Sequence, residues 1–224
     1  MNMITLKRGL AALAGIAAIG IVALGGAAPA GATTYSNVGQ SVGPYWQPLG
    51  YPDTTAYGEV FNAPGGALQD WTAYFAAGNA GNVMLEVAAW NGTEAVGPAL
   101  YASAPYAYAG GAATLNFSSI NLSLTTGSSY ITILTTAGVS SPLSAVQIDA
   151  ANGAGGLSGS GFTYDNTHGA DPLVTPNWTG LLHPDIQFTA DFGAPAVPEP
   201  ASLALMLPAL LGLGLLSRRA RRRA

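Results

Sequence analysis

The sequence predicts an all-β protein, an antiparallel β-sandwich with a jelly roll as the preferred topology, flanked by one apolar helix at each end. Between the ends, short runs of alternating apolar and polar residues are separated by clusters of Gly, Asn and Ser, and helical periodicity is almost absent. Short, closely spaced strands of this kind are typical of two packed sheets. The chain contains no cysteine, so the hydrophobic core must stabilise the domain without disulfide bonds.

The basic residues are confined to the two ends of the chain. Of the seven, two precede residue 9 and five follow residue 217, so residues 9–217 contain no Lys or Arg. All eleven acidic residues lie within that body. A body with only negative charges is repelled by phosphate backbones and by anionic lipid headgroups, which excludes nucleic acid as a partner.

Residues 1–30 are predicted to be a signal peptide, the N-terminal signal helix. Lys7 and Arg8 supply its positive segment and residues 9–26 its apolar segment, and small residues follow at the cleavage region. The candidate cleavage residues are Ala28, Ala30 and Ala32. This pattern predicts export through the Sec translocon, removal by signal peptidase and a mature chain that begins near residue 31. An uncleaved N-terminal membrane helix is the alternative.

Residues 31–193 are predicted to form the β-sandwich ectodomain, and its first half contains three clear strands. They are predicted at residues 57–61, 68–75 and 83–90. One face of the second strand is apolar, with Trp71, Ala73 and Phe75, and one face of the third is apolar, with Val83, Leu85, Val87 and Ala89. The pair Asn91–Gly92 follows directly, and Asn-Gly is the strongest short signal for a β-hairpin.

The second half of the ectodomain continues this pattern. Strands are predicted at residues 115–117, 120–124, 130–136 and 185–192, and a short strand at 145–148 within a polar, glycine-rich loop over residues 140–161. The cleanest alternation is in the last of these, where Ile186, Phe188, Ala190 and Phe192 share one face. We expect that face to be buried as part of the last core strand.

An enzymatic site has little support among the titratable residues. The two histidines, His168 and His183, have no ligand partner at metal-binding spacing, and no Gly-x-Ser-x-Gly motif is present. Glycoside hydrolysis needs two carboxylates that face each other. Among the glutamates of the body, Glu86 is on the strand face opposite Val83 and Leu85, which predicts a solvated outer-face residue. The sequence therefore predicts a protein without catalytic activity.

A calcium site is an alternative, although no cofactor is assigned. Hard cations take oxygen ligands from loops, and the best cluster of such ligands is Asp165, Asn166 and Asp171. The spacing does not match an EF-hand loop.

Three tryptophans near predicted turns could stack on sugar rings. These are Trp46, Trp90 and Trp178. The competing interpretation is that they fill the core, as large aromatic side chains commonly do in a sandwich without disulfides.

The C-terminal region has three consecutive parts. Residues 194–200 form a proline-rich linker, residues 201–217 an apolar segment without charge that predicts a transmembrane helix, and residues 218–224 a basic tail. The tail contains the five arginines expected to stop transfer: Arg218, Arg219, Arg221, Arg222 and Arg223. Because clustered arginines stay on the cytoplasmic side, the ectodomain is expected outside the inner membrane.

The sequence Val197-Pro198-Glu199-Pro200, followed by a short apolar helix and terminal arginines, resembles the PEP-CTERM sorting signal of exported proteins of Gram-negative bacteria. The body also resembles the β-sandwich ectodomains of surface proteins that carry this signal, through residues 61–66, 68–71, 87–90, 97–101 and 185–192. The resemblance implies cleavage by an exosortase near the Pro-Glu-Pro motif and an association with exopolysaccharide and biofilm. A permanent transmembrane anchor is the alternative. A Gram-positive sortase signal is excluded because no Leu-Pro-x-Thr-Gly motif occurs.

Together these features predict an exported cell-surface or extracellular-matrix protein. Its precursor would be anchored in the inner membrane, and the processed protein would be at the cell surface or extracellular. A carbohydrate-binding β-sandwich module is the first alternative, and a secreted hydrolase is the second.

Overall fold

The computed structural model describes residues 31–44, 48–51, 54–153, 155–158, 161–167, 169–181 and 185–194. The predicted signal peptide, the Pro-Glu-Pro linker, the C-terminal helix and the basic tail lie outside these residues, as do Trp46, His168 and His183. Within the described part of the chain, no helix combines the length and apolar character needed to cross a membrane.

The structure is all-β and consists of two antiparallel sheets. In chain order the strands are β1 (Thr33–Ser36), β2 (Ser41–Pro44), β3 (Ala56–Asn62), β4 (Ala67–Ala77), β5 (Gly81–Trp90), β6 (Ala95–Ala102), β7 (Tyr106–Tyr108), β8 (Ala113–Phe117), β9 (Leu122–Ser123), β10 (Ser129–Thr135), β11 (Gln147–Ala151), β12 (Gly161–Asp165), β13 (Trp178–Leu181), β14 (Asp185–Ile186) and β15 (Phe188–Phe192). A single 3-10 turn, Val38–Gln40, separates β1 from β2.

The first sheet has the order β1-β15-β4-β11-β14, with β2 on β11 and with β8 and β9 on β4. The second has the order β13-β12-β3-β10-β5-β6, with β7 on β5. Four strand pairs are nested along the chain: β1 with β15, β3 with β12, β4 with β11 and β5 with β10. The outermost pair brings the two ends of the ectodomain together, because Thr33 lies opposite Phe192.

The two sheets pack against each other through a core rich in aromatic side chains. Trp71 of β4 stacks on Phe188 of β15, with ring centroids 4.7 Å apart. It also lies 6.0 Å from the ring of Phe61, which belongs to the other sheet. Such rings bury large apolar areas and stabilise one another by offset stacking. The arrangement is β-sandwich-like, and this core holds the two sheets together without a disulfide.

Most of the strands predicted from alternation are present. The predicted strands at 57–61, 68–75, 83–90 and 130–136 are β3, β4, β5 and β10, and the alternating faces of β4 and β5 are buried as expected. The predicted hairpin joins β5 to β6, with Gly92 at φ +105° and the Asn91 side chain accepting the Thr93 N–H at 2.9 Å. Three predictions shift: the strand at 120–124 is shortened to β9, at Leu122–Ser123, the strand at 145–148 is β11, at 147–151, and the strand at 185–192 is divided into β14 and β15 at Gln187.

Candidate functional site

The outer face of the second sheet carries an apolar cluster of its own. Side chains alternate between the faces of a strand, so the residues between the core positions of β3, β5 and β10 point away from the first sheet. They form a separate buried cluster of small and β-branched side chains: Ala56, Val60, Ala88, Ala95, Ile131 and Ile133. Leu173, Trp90 and Trp178 pack against this cluster and are themselves partly buried. An outer face is thus covered where the sequence predicted solvent.

The cover comes from the loop between β12 and β13, which we call the covering loop; its described residues are 166–167 and 169–177, and its Leu173 packs on the cluster. Asp165, at the end of β12, is fully buried and fixes both ends of this loop. Its Oδ1 accepts the Thr167 N–H at 2.7 Å and also the Thr167 hydroxyl, and its Oδ2 accepts the Asn177 N–H at 2.9 Å. Charge-assisted hydrogen bonds of this kind are stronger than neutral ones, so the carboxylate sets the path of the loop over the sheet.

Two of the tryptophans singled out from the sequence meet on this face. Trp90 ends β5 and Trp178 begins β13, and three strands lie between them in the sheet. In a flat sheet four strand spacings amount to about 19 Å. The ring centroids are only 6.1 Å apart, with an interplanar angle of 79°. The twisted sheet must therefore be curved so that β5 and β13 approach each other on this side, where the two half-buried indoles meet edge to face.

Glu86 of β5 lies on the same outer face, but it is buried. Its side chain is only 8% exposed, which corrects the prediction that it is solvated. Burial and, second, the nearby charge of Asp171 in the covering loop raise the pKa of Glu86 to about 7. Among the described residues its Oε2 atom has no hydrogen-bond partner. The position on the outer face was predictable from alternation, whereas the burial depends on a loop that follows eighty residues later.

Two further polar atoms on this face lack a hydrogen-bond partner within the described ranges. They are the Thr163 hydroxyl on β12 and the indole nitrogen of Trp178. Thr163 and Glu86 lie on one line across the sheet. Thr163 is paired with Gly58 of β3, Gly58 with Ile133 of β10, and Ile133 with Glu86 of β5. Buried polar groups are nearly always paired, so three unpaired groups on one face indicate a place where a polar ligand could supply the missing partners.

The three residues considered for calcium have structural roles. Asp165 fixes the covering loop, Asn166 accepts a hydrogen bond from the Thr54 hydroxyl at 3.1 Å, and Asp171 accepts the Leu173 N–H at 2.8 Å. In the described part of the chain no group of three His, Cys, Asp or Glu side chains is placed to hold a metal ion.

A second buried acid was missed from the sequence. Glu59 of β3 is fully buried on the inner face, with its Oε2 accepting the Ile186 N–H at 3.1 Å. Burial and, second, the charge of Asp185 raise its pKa well above 4.5. Because Glu59 and Glu86 point to opposite faces of one sheet, they cannot flank the same glycosidic bond. The sequence does show an acid, Glu59, within an otherwise apolar strand. Only the fold shows that this acid is enclosed.

Comparison with protein-family models, with curated proteins and with solved structures finds no match to this chain.

Proposed function

We propose that the protein is an exported, non-catalytic surface or matrix protein that is sorted through its C-terminal Pro-Glu-Pro signal. The observation that carries the proposal is the order of three parts at the C-terminus: the Pro198-Glu199-Pro200 motif, an apolar segment and an arginine cluster. The absence of Lys and Arg from residues 9–217 supports it, because no positive charge in the body competes with the termini in setting orientation.

The pairing of the first and last strands also supports this proposal. Thr33 lies opposite Phe192, and the linker follows within two residues of that strand. Both predicted membrane segments would then leave the domain from one edge of the first sheet. Signal peptidase and exosortase, the partners implied by the resemblance, would act on neighbouring ends of the folded domain close to the inner membrane.

The proposal includes a jelly-roll topology for the sandwich. The four nested strand pairs support it, because a jelly roll forms when a chain folded back on itself is wrapped around a core.

The intact mass of the exported protein tests the sorting proposal. The full-length chain is expressed in a Gram-negative host with an exosortase, and the expected product lacks both residues 1–30 and residues 201–224. Replacing Pro198, Glu199 and Pro200 together by Ala should leave the C-terminal segment attached, whereas Pro195→Ala, in the same linker, should be processed normally. If the unmodified chain keeps residues 201–224 in this host, the sorting proposal is wrong.

A carbohydrate-binding module is the second candidate, and the paired indoles favour it. Trp90 and Trp178 lie 6.1 Å apart on a concave face beside polar atoms without partners. Sugars present apolar C–H faces and many hydroxyls, so such a face offers both contacts that they need. Polysaccharide binding should be lost in Trp90→Ala and Trp178→Ala, and it should persist in Tyr51→Ala, which removes an exposed ring outside this cluster.

A further inference from the structure

Among the residues that the structure describes, the acid pair on the outer face has no positive partner. Glu86 is more than nine-tenths buried, and Asp171 is exposed beside it and close enough to raise its pKa. No Lys or Arg occurs between residues 9 and 217, so the body of the chain cannot provide a neutralising cation from either residue type. Buried acids are normally paired with a cation or hydrogen-bonded on both oxygens. Here Oε2 of Glu86 has no such bond from any described residue.

The described residues around Glu86 present no other charge to it. In register, its neighbours are Ile133 of β10 and Ala102 of β6, and both are uncharged. The described part of the covering loop contributes Asp171, the group whose charge acts on Glu86, and the loop's His168 lies outside the described residues. The described surroundings of Glu86 thus combine apolar side chains with two acids, so the electrostatic field there is negative.

We propose that this face binds a glycan with free amino sugars, holding an ammonium group beside the two carboxyl groups and the sugar ring against the two indoles. This inference rests on the second candidate function, carbohydrate binding, and names the class of its ligand. A neutral sugar would remove the acids further from water without supplying a positive charge to balance them. An ammonium supplies both the missing charge and hydrogen-bond donors for the unpaired carboxylate oxygen.

The tryptophans are suited to the same ligand. An ammonium near the face of an indole is attracted by its quadrupole, and the effect increases when water is excluded. Trp90 and Trp178 are half-buried and pack against the apolar cluster that includes Ile133, the register partner of Glu86. This face thus offers an amino sugar both an acid pair and an aromatic surface.

The acid pair also predicts proton release on binding. At about pH 6 most of Glu86 is protonated, since its pKa is about 7. A bound ammonium favours the ionised carboxyl, so binding should displace roughly one proton from Glu86 into the solvent.

Isothermal titration of three β-1,4-linked hexasaccharides tests the inference. They share one backbone and carry at carbon 2 a free amine, an acetylated amine or a hydroxyl. The full-length chain is used in a sugar-free non-ionic detergent at about pH 6. We expect the free amine to bind roughly tenfold or more tightly than the other two, and added salt to weaken that preference. Repeating the titration in buffers of different ionisation enthalpy measures the released proton.

Matched variants separate the two proposals. Glu86→Gln should abolish both the preference for the amine and the proton release, while Asp70→Asn, which removes a charge on β4 of the other sheet, should keep both. Equal binding of all three sugars would overturn the amino-sugar inference and leave carbohydrate binding intact. Binding of none of them by the folded chain would overturn both for this face. Neither result bears on the sorting proposal, which the mass of the processed protein tests.

Discussion

The two faces of the second sheet each bury a glutamate beside an aspartate, yet the surroundings differ. On the inner face Glu59 is fully enclosed and accepts a backbone hydrogen bond from Ile186. On the outer face Glu86 lies under one loop, beside an aspartate that is exposed to solvent. Burial raises both pKa values. A buried acid alone therefore does not mark a binding site. The outer pair differs from the inner pair because its aspartate, Asp171, is exposed, so a ligand in solvent can reach it.

The apolar residues show the same contrast. The inner face packs on the first sheet in a core with the largest buried rings, including Trp71, Phe75 and Phe188 of that sheet, whereas the outer cluster consists of Ala, Val and Ile with two half-buried tryptophans at its rim. Buried apolar area is the main source of stability, so the inner face should determine whether the domain folds. The outer face can then change with little cost to the fold.

The largest expected effect follows from comparing the replacement of a tryptophan in the core between the sheets with the replacement of one on the outer face of the second sheet. Trp71→Ala should lower the free energy of unfolding by about 3–5 kcal/mol, because it leaves a cavity among packed rings. Trp90→Ala, its matched control, should cost about 1 kcal/mol, since the ring is half-exposed. Urea unfolding followed by circular dichroism measures both. Equal costs would contradict the assignment of stability to the inner face.

The next effect is the pH dependence caused by Glu59. An acid whose pKa is raised on folding contributes stability that is complete below its unfolded pKa, near pH 4.5, and is lost as the pH rises through the folded-state pKa. The slope is at most about 1.4 kcal/mol per pH unit. Glu59→Gln, whose amide oxygen can still accept the Ile186 N–H, should remove this slope and be more stable than the parent at neutral pH.

Urea unfolding from pH 4 to pH 8 checks the Glu59 prediction. Asp191→Asn, on the outer side of β15, serves as the control and should leave the slope unchanged. A parent and a Glu59→Gln variant with parallel stability curves would show that the carboxyl group is not enclosed in the folded protein.

A smaller effect is expected from Asp165, which fixes the covering loop. Asp165→Asn keeps one acceptor oxygen and replaces the other with an amide donor. That donor would point at the N–H of either Thr167 or Asn177, so one hydrogen bond is lost and the free energy of unfolding should fall by about 2 kcal/mol. Hydrogen exchange at these two amides should accelerate before exchange in β3 and β10 does. Unchanged exchange at both amides would mean that the carboxylate does not set the path of the loop.

The smallest effect is expected from Glu86→Gln. Its contribution to stability is complete below about pH 4.5 and is lost as the pH rises through about 7, so the variant should be more stable than the parent at neutral pH. Glu94→Gln, an exposed residue of the adjoining turn, is the control. If Glu86→Gln has no effect between pH 5 and pH 7, the outer acid is solvated and the contrast between the faces fails.

The sequence predicts the strands that have one apolar and one polar face. Strands β4 and β5 were found in this way to within two residues at each end, and their inner faces could be read from the alternation, whereas the burial of Glu86 and Ala88 on the outer face of β5 could not. The alternation did not predict six of the strands: β1, β2, β6, β7, β12 and β13. Several of them are short edge strands, and β6 contains Gly97–Pro98, which interrupts the pattern that alternation relies on.

The candidate site was predictable only in parts. Trp90 and Trp178 could be chosen as aromatic residues near turns, but their proximity depends on strand order and on the curvature of the sheet. The burial of Glu86 depends on the covering loop, which Asp165 fixes through hydrogen bonds that have no periodic signature. Each local pattern describes a single strand, whereas the site is built from six strands and a loop.

The pairing of β1 with β15 also determines how the domain would respond to mechanical force. A pull between the two ends of the ectodomain would open this pair from Thr33 and Phe192 inward, one ladder step at a time, which is the weak, unzipping direction of a sheet. A force applied through the C-terminal linker alone would act on β15, which is hydrogen-bonded to β1 on one side and to β4 on the other. If the opposite end of the load is a glycan held on the outer face of the second sheet, the force must cross the aromatic core. A matrix protein attached in this way would resist tension with its most densely packed part.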